Sequence, residues 1–266
     1  DPSEYSAYTE APGAYGHIKN QVIDELSRVG ITEDQLATGG LKVTTTIDMT
    51  VQNASTDAAH AELGVLQEDA RAAAVTIDPA TGAVRGYYGG DDSNGWDYAN
   101  SPLQTGSTFK IMTLAAALQQ GIDLNTYYSS APYQLPGSQL VTNDVGAGCG
   151  SCSIAEAMKN SYNTSFLRLQ DDLENKTQDT ADMAHALGVP RSLPGIEKTL
   201  TENGGTPYEG IVLGQYQSRP LDIATAMATL TNQGIWHQPH FVEKVENAAG
   251  EVLYENPTDG GERRVS

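Results

Sequence analysis

The sequence predicts an α+β fold, with strands toward the two ends of the chain and helices between them. Three observations support this. Residues 41–46 form a β-rich run, and residues 73–77 and 83–88 form two more around a short Asp78–Gly82 turn, the pattern of a hairpin. Residues 111–120 (IMTLAAALQQ) are strong helix formers closed by Gly121. Residues 153–159 and 164–173 read as two further helices separated by a break.

Taken in order, residues 17–29 place Ile18, Val22, Ile23 and Leu26 at the spacing of an amphipathic helix. A strand is expected at 41–46 and a helix from about 50 to 66, followed by the hairpin. A polar, glycine-rich segment (89–106, with Trp96 and Tyr98) then leads into the 111–120 helix. Ser153-Ile154-Ala155-Glu156 has the form of a capping box. The stretches 127–151 and 190–210 are too long for simple connectors and are expected to rim a cleft. Pro220 at the first helical position and Gly234 beyond the end bound a helix over 220–231.

The residues that carry chemistry are Ser107-Thr108-Phe109-Lys110. Residues three apart on a helix share a face, so the Lys110 amine can reach the Ser107 hydroxyl. A serine at a helix start lies where unpaired N–H groups favour a developing oxyanion. Phe109, Ile111, Met112, Leu114, Ala115 and Leu118 make the helix apolar on nearly every side, so it is expected to be buried. Burial would desolvate Lys110 and lower its pKa toward that of a useful general base. A serine acyltransferase working without histidine needs this pair. Ser161-Tyr162-Asn163 stands at the break between the two later helices and can offer a hydroxyl and an amide beside the nucleophile. The alternative for Ser161 and Asn163 is ordinary capping of the second helix.

With these motifs in order, the chain resembles the transpeptidase domain of the bifunctional (class A) high-molecular-weight penicillin-binding proteins. The resemblance also rests on Gly40-Leu41-Lys42-Val43-Thr44-Thr45-Thr46-Ile47-Asp48, on the hairpin from Ala74 to Val84, on Arg219-Pro220-Leu221-Asp222, and on Pro239-His240-Phe241-Val242. It implies an antiparallel sheet flanked by helices, as also in serine β-lactamases, with a helical subdomain bearing the active-site motifs. It further implies that Ser107 is acylated, that Lys110 is the base, and that Ser161 and Asn163 form the second catalytic motif. Residues 1–70 would be a linker segment, and 71–266 the N-terminal portion of the transpeptidase domain. The expected activity is D,D-transpeptidation of peptidoglycan stem peptides, with β-lactams as covalent inhibitors. The location would be the outer face of the bacterial cytoplasmic membrane, anchored by a segment outside these residues.

One departure is large. The family's third motif, Lys-Thr/Ser-Gly, is absent: Lys176-Thr177-Gln178, Lys198-Thr199-Leu200 and Lys244-Val245-Glu246 all lack the glycine. The expectation is therefore a second polypeptide carrying that strand. Two alternatives remain. A serine β-lactamase would need a deacylation base, and Glu174, Glu197 and Glu202 have no motif around them. A non-catalytic wall-binding module would leave the Ser107/Lys110 pair idle.

Composition narrows the partners. The chain has 266 residues and a formal net charge of −19, with a sequence pI near 4.4. Those values argue against nucleic acid or an anionic membrane surface. No run of about 18 apolar residues occurs. Cys149 and Cys152 are the only cysteines; a lone C-x-x-C is at most half a zinc site, and a short disulfide is expected outside the cytoplasm. The five histidines are dispersed and imply no metal. No cofactor is implied.

Overall fold

The computed structural model describes residues 13–135, 137–138, 140–257 and 260–266. Its α-helices in chain order are α1 (Tyr15–Arg28), α2 (Glu33–Thr38), α3 (Met49–Leu63), α4 (Lys110–Gln119), α5 (Ile154–Lys159), α6 (Asn163–Asp171), α7 (Thr177–Leu187) and α8 (Pro220–Thr231). The chain divides into two compact units: residues up to Ser101 together with Arg219–Arg263, and Pro102–Ser218 together with Arg264–Ser266.

In the first unit an antiparallel sheet places Val242–Glu246 between Lys42–Thr45 and Val252–Glu255. Val242 and Val245 lie on its buried side, where α1 packs Leu26 against them. Each such buried side chain contributes about 1.5–3 kcal/mol relative to exposure. Glu25 on α1 accepts the Phe241 and Val242 N–H groups at 2.6 and 3.2 Å. Burial nonetheless raises its pKa. The expected hairpin forms from Ala74–Ile77 and Val84–Tyr88. Its turn needs Gly82, whose φ is +79° and whose added Cβ would stand 2.6 Å from the Gln238 carbonyl oxygen.

Gln52 on α3 completes the backbone of Tyr87, accepting its N–H at 2.6 Å and donating to its carbonyl at 2.9 Å. The Tyr87 ring meets Phe241 edge-on, and its hydroxyl donates to Asp97 at 2.7 Å. Helix α8 has both predicted boundaries. Asp222 at its third position accepts from the Arg219 N–H and guanidinium, satisfying a donor that the helix start would leave open.

The second unit is mainly helical. Thr113 of α4 bonds Thr180 of α7 at 3.0 Å; Thr180 donates to Gln170 of α6, whose amide donates to the Glu209 carbonyl. This chain of buried bonds ties three helices together around α4.

Several expectations change here. Leu118 is exposed, while Ile111, Leu114 and Ala115 are half-buried, so α4 buries one face (Met112, Thr113, Ala116, Ala117) rather than its whole girth. Helix α6 ends at Asp171, which leaves Glu174 in the turn beyond it. The Ser153 hydroxyl accepts the Glu156 N–H, but the Glu156 carboxylate turns to Asn160, so only half of the capping box forms. The stretch 127–151 contains two small antiparallel pairs, Tyr127–Ser129 with Ser151–Ser153 and Tyr133–Gln134 with Leu140–Val141. Arg168 of α6 pins it by donating to the carbonyls of Ser129, Ala131 and Pro132.

Candidate active site

Strand Leu103–Gln104 pairs with Gln217–Ser218 and delivers the chain into a 3₁₀ turn, Gly106–Phe109, from which α4 continues. The α-helix therefore starts at Lys110, not at Ser107. That difference favours the chemistry, because residues three apart eclipse one another on a 3₁₀ turn. The turn is held from below by Gly214. Its φ is +77°, and a Cβ there would stand 2.2 Å from the Gly106 carbonyl oxygen, so only glycine fits. Phe109 is buried and anchors the turn, while Ser107 faces solvent.

Lys110 is fully buried, and its amine is surrounded by oxygens. Nζ lies 2.9 Å from Ser107 Oγ, 2.9 Å from Ser161 Oγ, 2.8 Å from the Ser161 carbonyl oxygen and 2.7 Å from Asn163 Oδ1. An ammonium has three donors, so it cannot satisfy all four partners at once. A neutral amine can donate to two of the acceptors and turn its lone pair to the Ser107 hydroxyl. Desolvation lowers the Lys110 pKa to about 8, against an opposing pull from the Asp144 carboxylate. The Phe166 ring, 5.9 Å away, also favours the charged form.

The second motif owes its shape to a helix ending. Tyr162 N–H reaches back to the Ala157 carbonyl and Ser161 N–H to that of Met158, the two bonds of a Schellman motif. The left-handed position of that motif usually holds glycine. Here it is Ser161, with φ +56°. A non-glycine residue in this conformation costs about 1–2 kcal/mol. The strain coincides with a geometry in which both Ser161 oxygens reach one amine.

Asn163 is the first residue of α6 but does not cap it. The Thr164 N–H is instead accepted by Asn143 Oδ1 at 3.1 Å, and Asn163 Nδ2 donates to the Thr142 carbonyl at 3.4 Å. The capping alternative for Asn163 is therefore not what forms.

Ser107, Lys110, Ser161 and Asn163 thus converge. Lys176 and Lys198 lie in turns, and Lys244 sits in the first unit's sheet, paired with Glu246 at 3.1 Å. Among the described residues none of the three stands with the partners of Lys110. Sequence reasoning missed Asn143 and Asp144, for which a polar glycine-rich loop gives no specific signal. Among the described residues no His, Cys, Asp and Glu group could hold a metal ion.

Over most of its length the chain is similar to known proteins. The family description "Penicillin binding protein transpeptidase domain" matches residues 72–266. The chain belongs to the penicillin-binding protein transpeptidase family. It is 49% identical to penicillin-binding protein 1A of Mycolicibacterium smegmatis, over 99% of this chain and 34% of that protein. Identity to penicillin-binding protein 1A of Mycobacterium tuberculosis is 48%, over 99% of this chain and 33% of that one. The chain thus spans about a third of the length of the curated relatives it matches. It also resembles the solved structure of the penicillin-binding protein PonA1 from Mycobacterium tuberculosis, with a TM-score of 0.91 and 49% identity, over 95% of this chain and 67% of that one. A second structure of PonA1, in complex with penicillin V, matches with a TM-score of 0.91 and 50% identity, over the same shares of both chains.

Cys149 and Cys152 are joined in a disulfide beside strand Ser151–Ser153. The Cys149 N–H donates to Ser130 Oγ and the Ser130 N–H to the Gly150 carbonyl. The covalent ring is small and removes little unfolded-state entropy. Reduction should therefore leave the unfolding midpoint nearly unchanged while speeding amide exchange over 146–152. A cooperative loss of protection throughout the second unit would contradict this.

Proposed function

We propose that this chain carries the acylation centre of a serine D,D-transpeptidase that crosslinks peptidoglycan stem peptides, and that penicillins acylate the same serine. The carrying observation is the Lys110 amine held between Ser107 Oγ and three acceptor oxygens of the second motif. Neutral Lys110 takes the Ser107 proton as Oγ attacks the carbonyl of the D-Ala-D-Ala peptide bond. The Oγ–C bond forms, the C–N bond breaks, and Ser161 Oγ relays the proton from Lys110 to the departing amine. An amine of a neighbouring stem peptide then attacks the ester, giving up its proton along the same route and releasing Ser107. Asn163 keeps the amine oriented and has one Nδ2 proton, beyond the one on the Thr142 carbonyl, to meet substrate backbone.

The reading includes a strand bearing Lys-Thr/Ser-Gly, supplied by polypeptide outside these 266 residues, to hold the substrate carboxylate. Residues 1–70 would serve as the linker segment and 71–266 as the N-terminal part of the transpeptidase domain. Activity would be extracytoplasmic, on the outer face of the cytoplasmic membrane. Among the described residues no helix is long and apolar enough to cross a membrane, so the anchor would lie elsewhere.

Mass analysis of the protein purified from its source and exposed to penicillin tests the reading. The expected result is a long-lived adduct on the peptide containing Ser107, with a Lys-Thr/Ser-Gly polypeptide present in the same sample. An adduct on another residue, or none on folded protein, would overturn it; rapid release of the product would favour a β-lactamase.

A further inference from the structure

We propose that a cavity of about 480 Å³ in the first unit binds a saccharide. It is lined in part by Trp96, Tyr98, Tyr88, Arg71, Asp92 and Gly90. Trp96 is 64% exposed, an apolar ring available for the C–H face of a sugar. Arg71 spends Nη1 on the carbonyls of Glu68 and Ala70, which leaves Nε and Nη2 of its fork for vicinal hydroxyls. Asp92 accepts the Asn94 N–H through Oδ1 and retains acceptor capacity at its other oxygen.

The wall behind these groups is fixed in advance. The Asp91 carboxylate is engaged by His60 Nε2, at 2.8 and 2.9 Å, and by the Tyr88 hydroxyl at 3.2 Å. The His60 ring meets Tyr88 edge-on. A ligand would therefore find Tyr88 held in place, which lowers the ordering cost of binding.

The floor behind Gly90 is also buried. His17 is 2% exposed, and its Nε2 has no hydrogen-bond partner among the described residues. Its Cδ2–Nε2 edge faces the Gly89–Gly90 turn: a Cβ on Gly90 would stand 4.0 Å from Nε2, and one on Gly89 would stand 3.4 Å from Cδ2. Gly90 lines the cavity and has φ +124°, a conformation that L side chains rarely adopt. The His17 ring thus backs the Gly89–Gly90 turn from the buried side, together with the Asp97 and Tyr98 side chains.

An ammonium over the Trp96 ring is the competing occupant. Arg71 weighs against it, while the Glu68 and Asp92 carboxylates in the same lining weigh for it, so the alkylamine arm of the test below decides between the two. Identifying the saccharide as an N-acetylated hexosamine glycan rests on the transpeptidase reading; the presence of a sugar site does not.

The test is titration of the protein with the N-acetylglucosamine tetramer, read by tryptophan fluorescence and calorimetry, with labelled-penicillin attachment measured on the same samples. Saturable binding is expected, with the dissociation constant raised about tenfold or more in Trp96→Ala and in Asp92→Asn. Penicillin attachment should stay unchanged in both variants. No saturable binding to folded wild-type protein, binding unaffected by both substitutions, or binding of an alkylamine in place of the sugar would each overturn the proposal. Sugar binding without any penicillin attachment, in protein purified from its source with the Lys-Thr/Ser-Gly polypeptide present, would instead sink the transpeptidase reading and leave this one standing.

Discussion

Lys110→Ala is expected to slow penicillin acylation of Ser107 by roughly 10²–10⁴-fold, the usual worth of a positioned general base. Ser107→Ala should abolish labelling altogether. Lys110 makes the stronger test, because its mechanism predicts a pH profile as well as a loss. With the amine's pKa lowered to about 8 by desolvation, the wild-type acylation rate should climb through that pH as the neutral amine becomes populated. The Asp144 carboxylate favours the charged form, so Asp144→Asn should shift this rise to lower pH. The same depression has a sign in stability. Between pH of about 8 and the ordinary lysine value the unfolded chain binds more protons than the folded one, so stability should increase with pH across that window. A flat acylation profile in the complete protein, or a residual rate in Lys110→Ala close to wild type, would remove Lys110 as the base.

The sequence revealed some of this structure and hid the rest, for identifiable reasons. Helix α8 was legible at both ends because Pro220 fixes its start and the glycine beyond it closes the turn. The contact between Ser107 and Lys110 was legible because their spacing is short and local. Helix α7 was not anticipated. Its buried residues mix Thr177, Thr180 and His185 with Ala181, Met183, Ala184 and Leu187, so polar and small side chains interrupt the hydrophobic periodicity. It also follows Lys176, a non-glycine residue at φ +52°, where no standard start signal appears. The strands within 127–151 are two or three residues long, too short for alternation to show. Asn143 illustrates a different limit. Its side chain supplies the N-terminal acceptor for α6 from a distant part of the chain, so no local pattern records it. Ser161 stands beside Lys110 Nζ as the sequence led one to expect, but its left-handed backbone was not foreseen, since nothing local distinguishes it from a cap.

That backbone supports the most discriminating experiment on the second motif. Ser161→Gly should leave stability unchanged or raise it by up to about 1 kcal/mol, because glycine accepts the left-handed conformation without strain. The same substitution removes the hydroxyl 2.9 Å from Lys110 Nζ and should slow acylation by roughly 10²-fold or more. Ser161→Ala loses the same hydroxyl but keeps the strain, so it should match the glycine variant in rate and fall below it in stability. Asn163→Ala completes the comparison. It removes the acceptor 2.7 Å from the amine, while α6 keeps the acceptor supplied by Asn143. Its melting curve should stay near wild type while acylation drops by roughly 10²–10³-fold. These outcomes separate two accounts of the junction. If Ser161 and Asn163 only terminate and begin helices, Asn163→Ala should unfold more easily at normal rate, and Ser161→Gly should be indistinguishable from wild type in acylation. If they hold the lysine for proton transfer, rate and stability should part company at both positions, with the stability of Ser161→Gly holding or rising while its rate falls.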